Sequence, residues 1–575
     1  MKTSILPVAC VVALSGLAGP CALAQFSSDP ANNLTIADRT GDQVQPKVRA
    51  APDGGLYVSW FDNSTGGYDV YLQRLDAAGN EQWAHNGVLI ADRAVSSTQD
   101  YDVVVDAQGN ATLAFNDDGG VSGTPQQVTV KKVAPDGSIV WARTITTDST
   151  FKGPPQLTLL TDGGYAVGWT AGTSPSSWTM QRLDATGQPQ WSGNGINVIE
   201  PTRYTALSDI QASDNGSFIV LWIRGTSTSA TTSSKHLLAM KYDSTGAPLW
   251  TPTTVAAPLG PVTGVVVYQP TPGSAWSTST TTGTYNATLG GSIQNGYFPT
   301  MIPDGQGGVV IGWYENGGPR NAYIQHLHAD GSYQFPINGV SNVLGPGTRI
   351  RIGAEAAYDA STQTYYLASP ESNASPQGNY STIVNAFNAS GARLWSDLGT
   401  TVIPANANQS SFVQCQAIDG GAIVAGFDAR STAPTHVVFA ARVNAEDGAV
   451  AWSNLPSSTV VSKSRLSSTK LANGSVVLGW SNGASGGAAD IQVQNVNPDG
   501  TFGGPSCPGN ACGPQDYNGD GDSGTDQDIE AFFACLGGNC CDACFCQGSD
   551  FNGDGDFGTD QDIEAFFRVL GGNAC

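Results

Sequence analysis

Between residues 45 and 503 the chain repeats itself, and that repetition constrains its fold more than any other feature. The best-preserved copy, QPKVRAAPDGGLYVSWFDNSTGGYDVYLQRLDAAGNEQWAHNGVLIA, runs from Gln45 to Ala91. Each copy has two anchors. The first is an apolar run behind a glycine turn: DGGLYVSW (Asp53 to Trp60), DGGYAVGW (Asp162 to Trp169), NGSFIVLW (Asn215 to Trp222), QGGVVIGW (Gln306 to Trp313) and NGSVVLGW (Asn473 to Trp480). Looser forms end at Phe115, Ala368 and Phe427. The second anchor is a polar turn followed by an aromatic, at Trp83, Trp141, Trp191, Trp250, Phe335, Trp395, Trp452 and Phe502. That counts eight copies; the sixth, STQTYYLA, is the loosest and leaves seven versus eight open.

Within a copy, short runs rich in Val, Ile, Tyr and Trp alternate with Gly, Asp and Asn clusters, and no helical period persists, so each copy is expected to be a small antiparallel sheet. Such a sheet exposes two edges and an apolar face. Packing the copies radially covers both, which predicts an all-β fold, a β-propeller of about eight four-stranded blades. An open solenoid is the alternative. Closure has a visible source: the last copy stops at Gly504 without the strand NGVLIAD that ends the first, while Asn33-Leu-Thr-Ile-Ala-Asp38 ahead of the ring resembles it. The N-terminal strand is therefore expected to complete the last blade.

The start of the chain has one Lys2, an apolar run from Ile5 to about Leu17 and Ala22-Leu23-Ala24 before Gln25, the layout of a secretory signal over residues 1–24. A lipid-anchored start at Cys21 is the lesser alternative, because Pro20 precedes it. Three parts follow: the signal, a ring over 25–504 and a tail over 505–575. The expected location is secreted, periplasmic or cell-surface. A formal net charge of -23 argues against nucleic acid, whose phosphates need a basic footprint. About half of that charge sits in the tail, where 13 Asp and Glu face only Arg568. Eight of the 11 cysteines also lie there, between Cys507 and Cys575, as expected of a disulfide-stapled exported domain, with zinc at Cys541, Cys544 and Cys546 the alternative. Cys415 is left over as a buried thiol.

Over about 45–503 the repeats resemble the delta-60 class of secreted bacterial propeller repeats, whose units join a D-G strand to an R-Y-x-x-D-G turn and a following aromatic. Propellers host enzymes, binders and scaffolds alike, so no activity follows. A cation precedes the second anchor in six copies, at Arg74, Lys132, Arg182, Lys241, His326 and Arg442. Catalysis needs a residue once; recurrence points to pairing with the acidic turns. His326 and His328 share one strand face, the arrangement of a two-imidazole metal site, but a plain surface pair is expected. No G-x-S-x-G, H-E-x-x-H or P-loop occurs, though two carboxylates can serve a glycosidase from distant positions. The insertion at about 258–296 stretches the Trp-to-Trp spacing to 91 and carries Tyr268, Trp276 and Tyr285 as candidate ligand contacts, with the channel mouth as the other candidate place.

Two tail segments 34 residues apart are nearly identical, DYNGDGDSGTDQDIEAFFACLGGN from Asp516 and DFNGDGDFGTDQDIEAFFRVLGGN from Asp550. Alternating Asp and Asn ahead of glycine crowd oxygen ligands onto a tight loop, which suits Ca²⁺. Ile529, Phe532, Phe533 and Leu536, then Ile563, Phe566, Phe567 and Leu570, predict two short amphipathic helices. The duplicated unit resembles the type I dockerin family, with EF-hand-like loops. That resemblance implies two Ca²⁺ sites, with Asp516, Asn518 and Asp520 in the first and Asp550, Asn552 and Asp554 in the second. Asp522 and Asp556 would stand where an EF-hand uses a backbone carbonyl. Gln527 and Gln561 occupy the usual closing position, and Asp528 and Asp562 are favoured as the closing ligands. The resemblance further implies a cohesin-like or other surface partner.

Three functions remain in play: an exported non-catalytic propeller binding carbohydrate or protein and tethered by its tail; an extracellular polysaccharide-processing enzyme with the same tail; and a structural envelope protein. A pair of channel-facing carboxylates present in single copies, not repeated round the ring, would favour the enzyme.

Overall fold

A computed structural model describes residues 25–173, 175–231, 233–253, 262–269, 292–316, 320–341, 349–373, 378–405, 410–429, 435–484, 486, 488–503, 515–518, 523–536, 551–552 and 558–571. The fold is propeller-like and almost entirely β, made of small antiparallel sheets whose strands follow one another in chain order. The first sheet contains Gln43–Ala50, Leu56–Asp62, Asp69–Leu75 and Val88–Ala91, and four further sheets repeat that four-strand plan. The loose sixth copy also forms a sheet, around Thr364–Asn373, with both Arg349–Arg351 and Glu355–Asp359 along one edge. Its hairpin simply lacks the usual glycine, and Gln363 takes the positive φ instead.

The remaining sheet has seven strands because the single long strand Val450–Lys470 serves two sets. Its first part pairs with Thr435–Asn444 and its last part with Val476–Asn482. At the far edge, Leu34–Ala37 pairs with Asp490–Val496, Leu34 lying opposite Val493 and Thr35 opposite Gln492. Leu34 and Ile36 are buried there. The first strands of successive sheets lie side by side around a circle, beginning with Gln43–Ala50 and returning to it from Val450–Lys470.

The anchors explain this packing. Trp60, Trp169, Trp222, Trp313 and Trp480, at the ends of the apolar runs, are fully buried between sheets. In the second anchor, Asp184 Oδ1 accepts from the N–H groups of Thr186 and Gln188, and Gly187 takes φ +80° to close the turn. The aromatic then reaches the turn of the following copy. Trp83 Nε1 donates to the Pro135 carbonyl at 3.0 Å, Trp250 to Ala329 at 2.9 Å and Trp395 to Ala445 at 3.0 Å. The aromatic packs against that turn's glycine, closely enough that a Cβ at Gly187 would sit 2.6 Å from the Trp141 ring and one at Gly331 would sit 2.7 Å from Trp250. Only glycine lets the indole approach.

The stitch back to the first copy comes from elsewhere. Phe26, ahead of the ring, lies on Gly79 and donates its N–H to the Ala78 carbonyl at 3.1 Å. The last turn's own aromatic, Phe502, packs instead beside the core around Trp480.

In the tail, helix α1 (Asp526–Leu536) and helix α2 (Asp560–Leu570) pack through Phe532 and Phe566, stacked at 4.0 Å between centroids. Tyr517 and Phe551, each one residue into its loop, complete that small core. No helix among the described residues is long and apolar enough to cross a membrane.

Candidate functional site

The recurring cations pair with the acidic turns, as their repetition implied. Lys132 meets Asp106 at 2.7 Å and Lys241 meets Asp214 at 2.7 Å, while Arg74 and Arg182 hold Asp53 and Asp162. Arg442 differs in donating to the Asp419 carbonyl at 3.1 Å. His326 takes the same place, 2.9 Å from Asp304. The expectation of a surface histidine pair is corrected here: His326 is 3% exposed and His328 partly buried, because the strand face they share turns toward the neighbouring sheet's Tyr365.

The proposed insertion also needs correction, since Val265–Tyr268 is the fourth strand of its sheet, paired with Leu237–Ala239. Tyr268 is fully buried and donates to Glu315 Oε2 at 2.5 Å, so it belongs to the core. Trp276 and Tyr285 lie outside the described residues.

What the fold does bring together is the inside of the ring. The first strands enclose a channel of about 590 Å³, lined among others by Lys47, Arg49, Asp102, Asp209, Glu355 and Lys470. These come from distant copies and share no motif, so only ring closure assembles them. Lys47 pairs with Asp100 at 3.1 Å and Arg49 with Asp102 at 3.2 Å. Lys470 donates to the Ala417 carbonyl at 2.8 Å.

Two carboxyls stand apart. Asp209 is 4% exposed and accepts from the backbone N–H of Ile210 at 2.7 Å and of Met301, on the next first strand, at 2.6 Å. Burial pushes its pKa up to about 7. Asp102 makes the matching contacts to Val103 and Leu157. Glu355 opens the edge strand Glu355–Asp359 of the sixth sheet, and its side chain has no hydrogen-bond or ion-pair partner among the described residues. It is partly buried where it lines the channel, and that burial alone pushes it up to about 8. Burial, and then the Glu355 charge, push the Cys415 thiol up as well, which keeps it an inert thiol on its strand.

The aromatic Phe298, 42% exposed, also lines the channel. Along the first strands, Gln45, Phe412 and Arg465 take positive φ where the register shifts. Such residues cost about 1–3 kcal/mol each.

In the tail, Asp528 and Asp562 are fully buried and reach back over their loops. Asp528 accepts from Asn518 N–H at 3.1 Å and Thr525 N–H at 2.8 Å; Asp562 accepts from Asn552 N–H at 3.2 Å and Thr559 N–H at 2.8 Å. Asp562 is also part of a capping box with Thr559. Asp516, Asn518 and Asn552 lie at the loop starts, whereas Asp520, Asp522, Asp550, Asp554 and Asp556 fall outside the described residues.

No protein-family model and no curated protein matches the chain. Solved structures overlap it loosely. A polysaccharide lyase acting on ulvan shares 12% identity at a TM-score of 0.39, over 72% of this chain and 96% of its own. A puromycin hydrolase mutant shares 11% at 0.39, over 80% and 61%. An α-L-arabinanase of Penicillium chrysogenum shares 10% at 0.30, over 80% and 98%. Overlap this loose distinguishes neither blade number nor activity.

Proposed function

We propose that the protein is an exported polysaccharide-processing enzyme, a glycoside hydrolase or lyase, built as an eight-bladed propeller closed by its N-terminal strand and followed by a disulfide-stapled, calcium-binding tail. Glu355 carries the enzymatic reading. It is an unpaired carboxyl, present in one copy only, facing a channel that also holds Asp209 and cationic side chains. A carboxyl raised to about 8 keeps its proton at neutral pH and can deliver it to a departing glycosidic oxygen. For a lyase, Lys470, which makes no carboxylate pair among the described residues, is placed to offset a uronate charge.

Incubation with a panel of neutral and uronate-containing polysaccharides tests this reading. New reducing ends identify a hydrolase and unsaturated products a lyase; an unchanged chain length across the panel overturns both. A non-catalytic carbohydrate or protein binder is the second reading. It is favoured by Asp209, whose oxygens are occupied by backbone N–H groups in the same way as those of Asp102. Saturable binding without cleavage would select it.

The tail reading has separate support. The carboxylates of Asp528 and Asp562 fold over the loops they were expected to close. Cys535 is buried and disulfide-bonded. Phe533 and Phe567, 45% and 47% exposed and 6.1 Å apart, offer an apolar face to a cohesin-like or other surface protein. Calorimetric titration of the full-length protein should find two Ca²⁺ per chain, and calcium at a hundred times Kd should stabilise the tail by about 2.7 kcal/mol for each site, roughly 5.4 kcal/mol in all. No uptake at millimolar calcium would remove both sites.

A further inference from the structure

We infer that Asp304, His326 and His328 form a binding site for a divalent transition ion of the zinc class. Their ligand atoms all lie within 4.8 Å of one another. Asp304 is held by its own turn, Oδ1 accepting from Gln306 N–H at 2.7 Å and from Gly308 N–H at 2.8 Å, which leaves Oδ2 directed at His326. His326 lies in the strand Ala322–Leu327 and His328 just beyond it, two residues on and on the same side. The two rings are 4.5 Å apart, and the His328 ring nitrogens have no hydrogen-bond partner among the described residues.

Comparison with the other copies makes this position distinctive. Arg74, Lys132, Arg182 and Lys241 satisfy the turn carboxylate with a permanent cation, which has no lone pair to give a metal. Here alone the cation is replaced by an imidazole with a second imidazole beside it, while the facing carboxylate stays buried at 3%. A bound ion restores positive charge to the turn that its relatives carry in a side chain.

The surroundings suit such an ion. His326 Nδ1 lies 2.7 Å from the Tyr365 hydroxyl, whose oxygen can accept from Nδ1–H when Nε2 binds metal, the usual arrangement behind a ligating histidine. In the absence of metal, Nε2–H donates to Asp304 and Tyr365 donates to Nδ1, so the ring is already oriented. Metal entry displaces the Nε2 proton to solvent. Two imidazole nitrogens and one carboxylate oxygen favour zinc over calcium or magnesium. Tetrahedral zinc spaces its ligand atoms roughly 3.3 Å apart, within reach of small side-chain rotations. His328 is only partly buried, leaving the fourth position to water.

The test uses the full-length protein with calcium saturated throughout, titrated with Zn²⁺ and, for spectroscopy, Co²⁺. One tight equivalent per chain with tetrahedral Co²⁺ absorption is expected. His328→Ala should weaken that equivalent at least tenfold. His326→Arg restores the residue type of the other copies, so it should fold normally and lose the equivalent altogether. No binding at micromolar metal overturns the assignment. So does binding of unchanged stoichiometry and affinity in both variants, which would place the ion elsewhere.

Discussion

A chain lacking residues 25–38 should fail to hold its ring closed and should lose most of its cooperative thermal transition. The deleted segment supplies the edge strand Leu34–Ala37 and the Phe26 ring that lies on Gly79. Phe26, Leu34 and Ile36 are buried at 4%, 5% and 0%. Each such side chain contributes about 1.5–3 kcal/mol, so the three together approach the 5–15 kcal/mol that holds a typical domain. The exposed edge of Asp490–Val496 adds unpaired backbone groups and an invitation to aggregate. Phe26→Ala alone should cost about 3–5 kcal/mol, because the glycine beneath it cannot fill the cavity. Calorimetry and light scattering read both effects. A truncated chain that melts like the full one would mean the strand is ornamental.

Glu355→Gln should lower catalysis by about a hundred- to ten-thousandfold while leaving the fold intact, since an amide keeps the shape of the acid and cannot deliver its proton. Wild-type activity should also fall as pH rises past about 8, where the carboxyl loses its proton. The stability consequence has the opposite sense to the usual carboxylate. The folded state holds this proton more tightly than the unfolded chain does, so between about 4.5 and about 8 the native protein binds more protons and loses stability as pH rises. Asp209, raised to about 7, acts in the same direction and persists in the variant. Glu355→Gln should therefore match wild type near pH 4 and exceed it near pH 8, by on the order of 1–3 kcal/mol after allowing for water in the channel. A variant that gains stability without losing activity would make Glu355 a buried bystander.

Much of the ring was legible in the chain because its signals are local and repeated. The D-x-x-G turn needs an Asx acceptor and a positive-φ glycine within four residues, so the motif betrays the turn. The recurring strand-and-turn spacing betrays a series of small antiparallel sheets, and the repeated cation identified itself as structural. The tail helices were legible for the same reason, from apolar residues at helical spacing.

The channel was not legible. Glu355 and Asp209 are unremarkable in their copies and are separated by more than a hundred residues, and no local pattern records which strand residues face a shared interior. The insertion was misjudged at Tyr268 because a strand read by length alone gives no sign that its tyrosine turns inward to Glu315. His326 was judged a surface residue since its neighbour Tyr365 belongs to the next sheet. The sequence by itself determined the repeating sheets, their turns and the paired tail helices, because hydrophobic period and turn chemistry act over a few residues. Only the tertiary structure decided that Phe26 would complete the circle of stitches, that the carboxyls would meet around one channel and that two histidines would join Asp304, because desolvation and close approach depend on groups that the chain brings together from far apart.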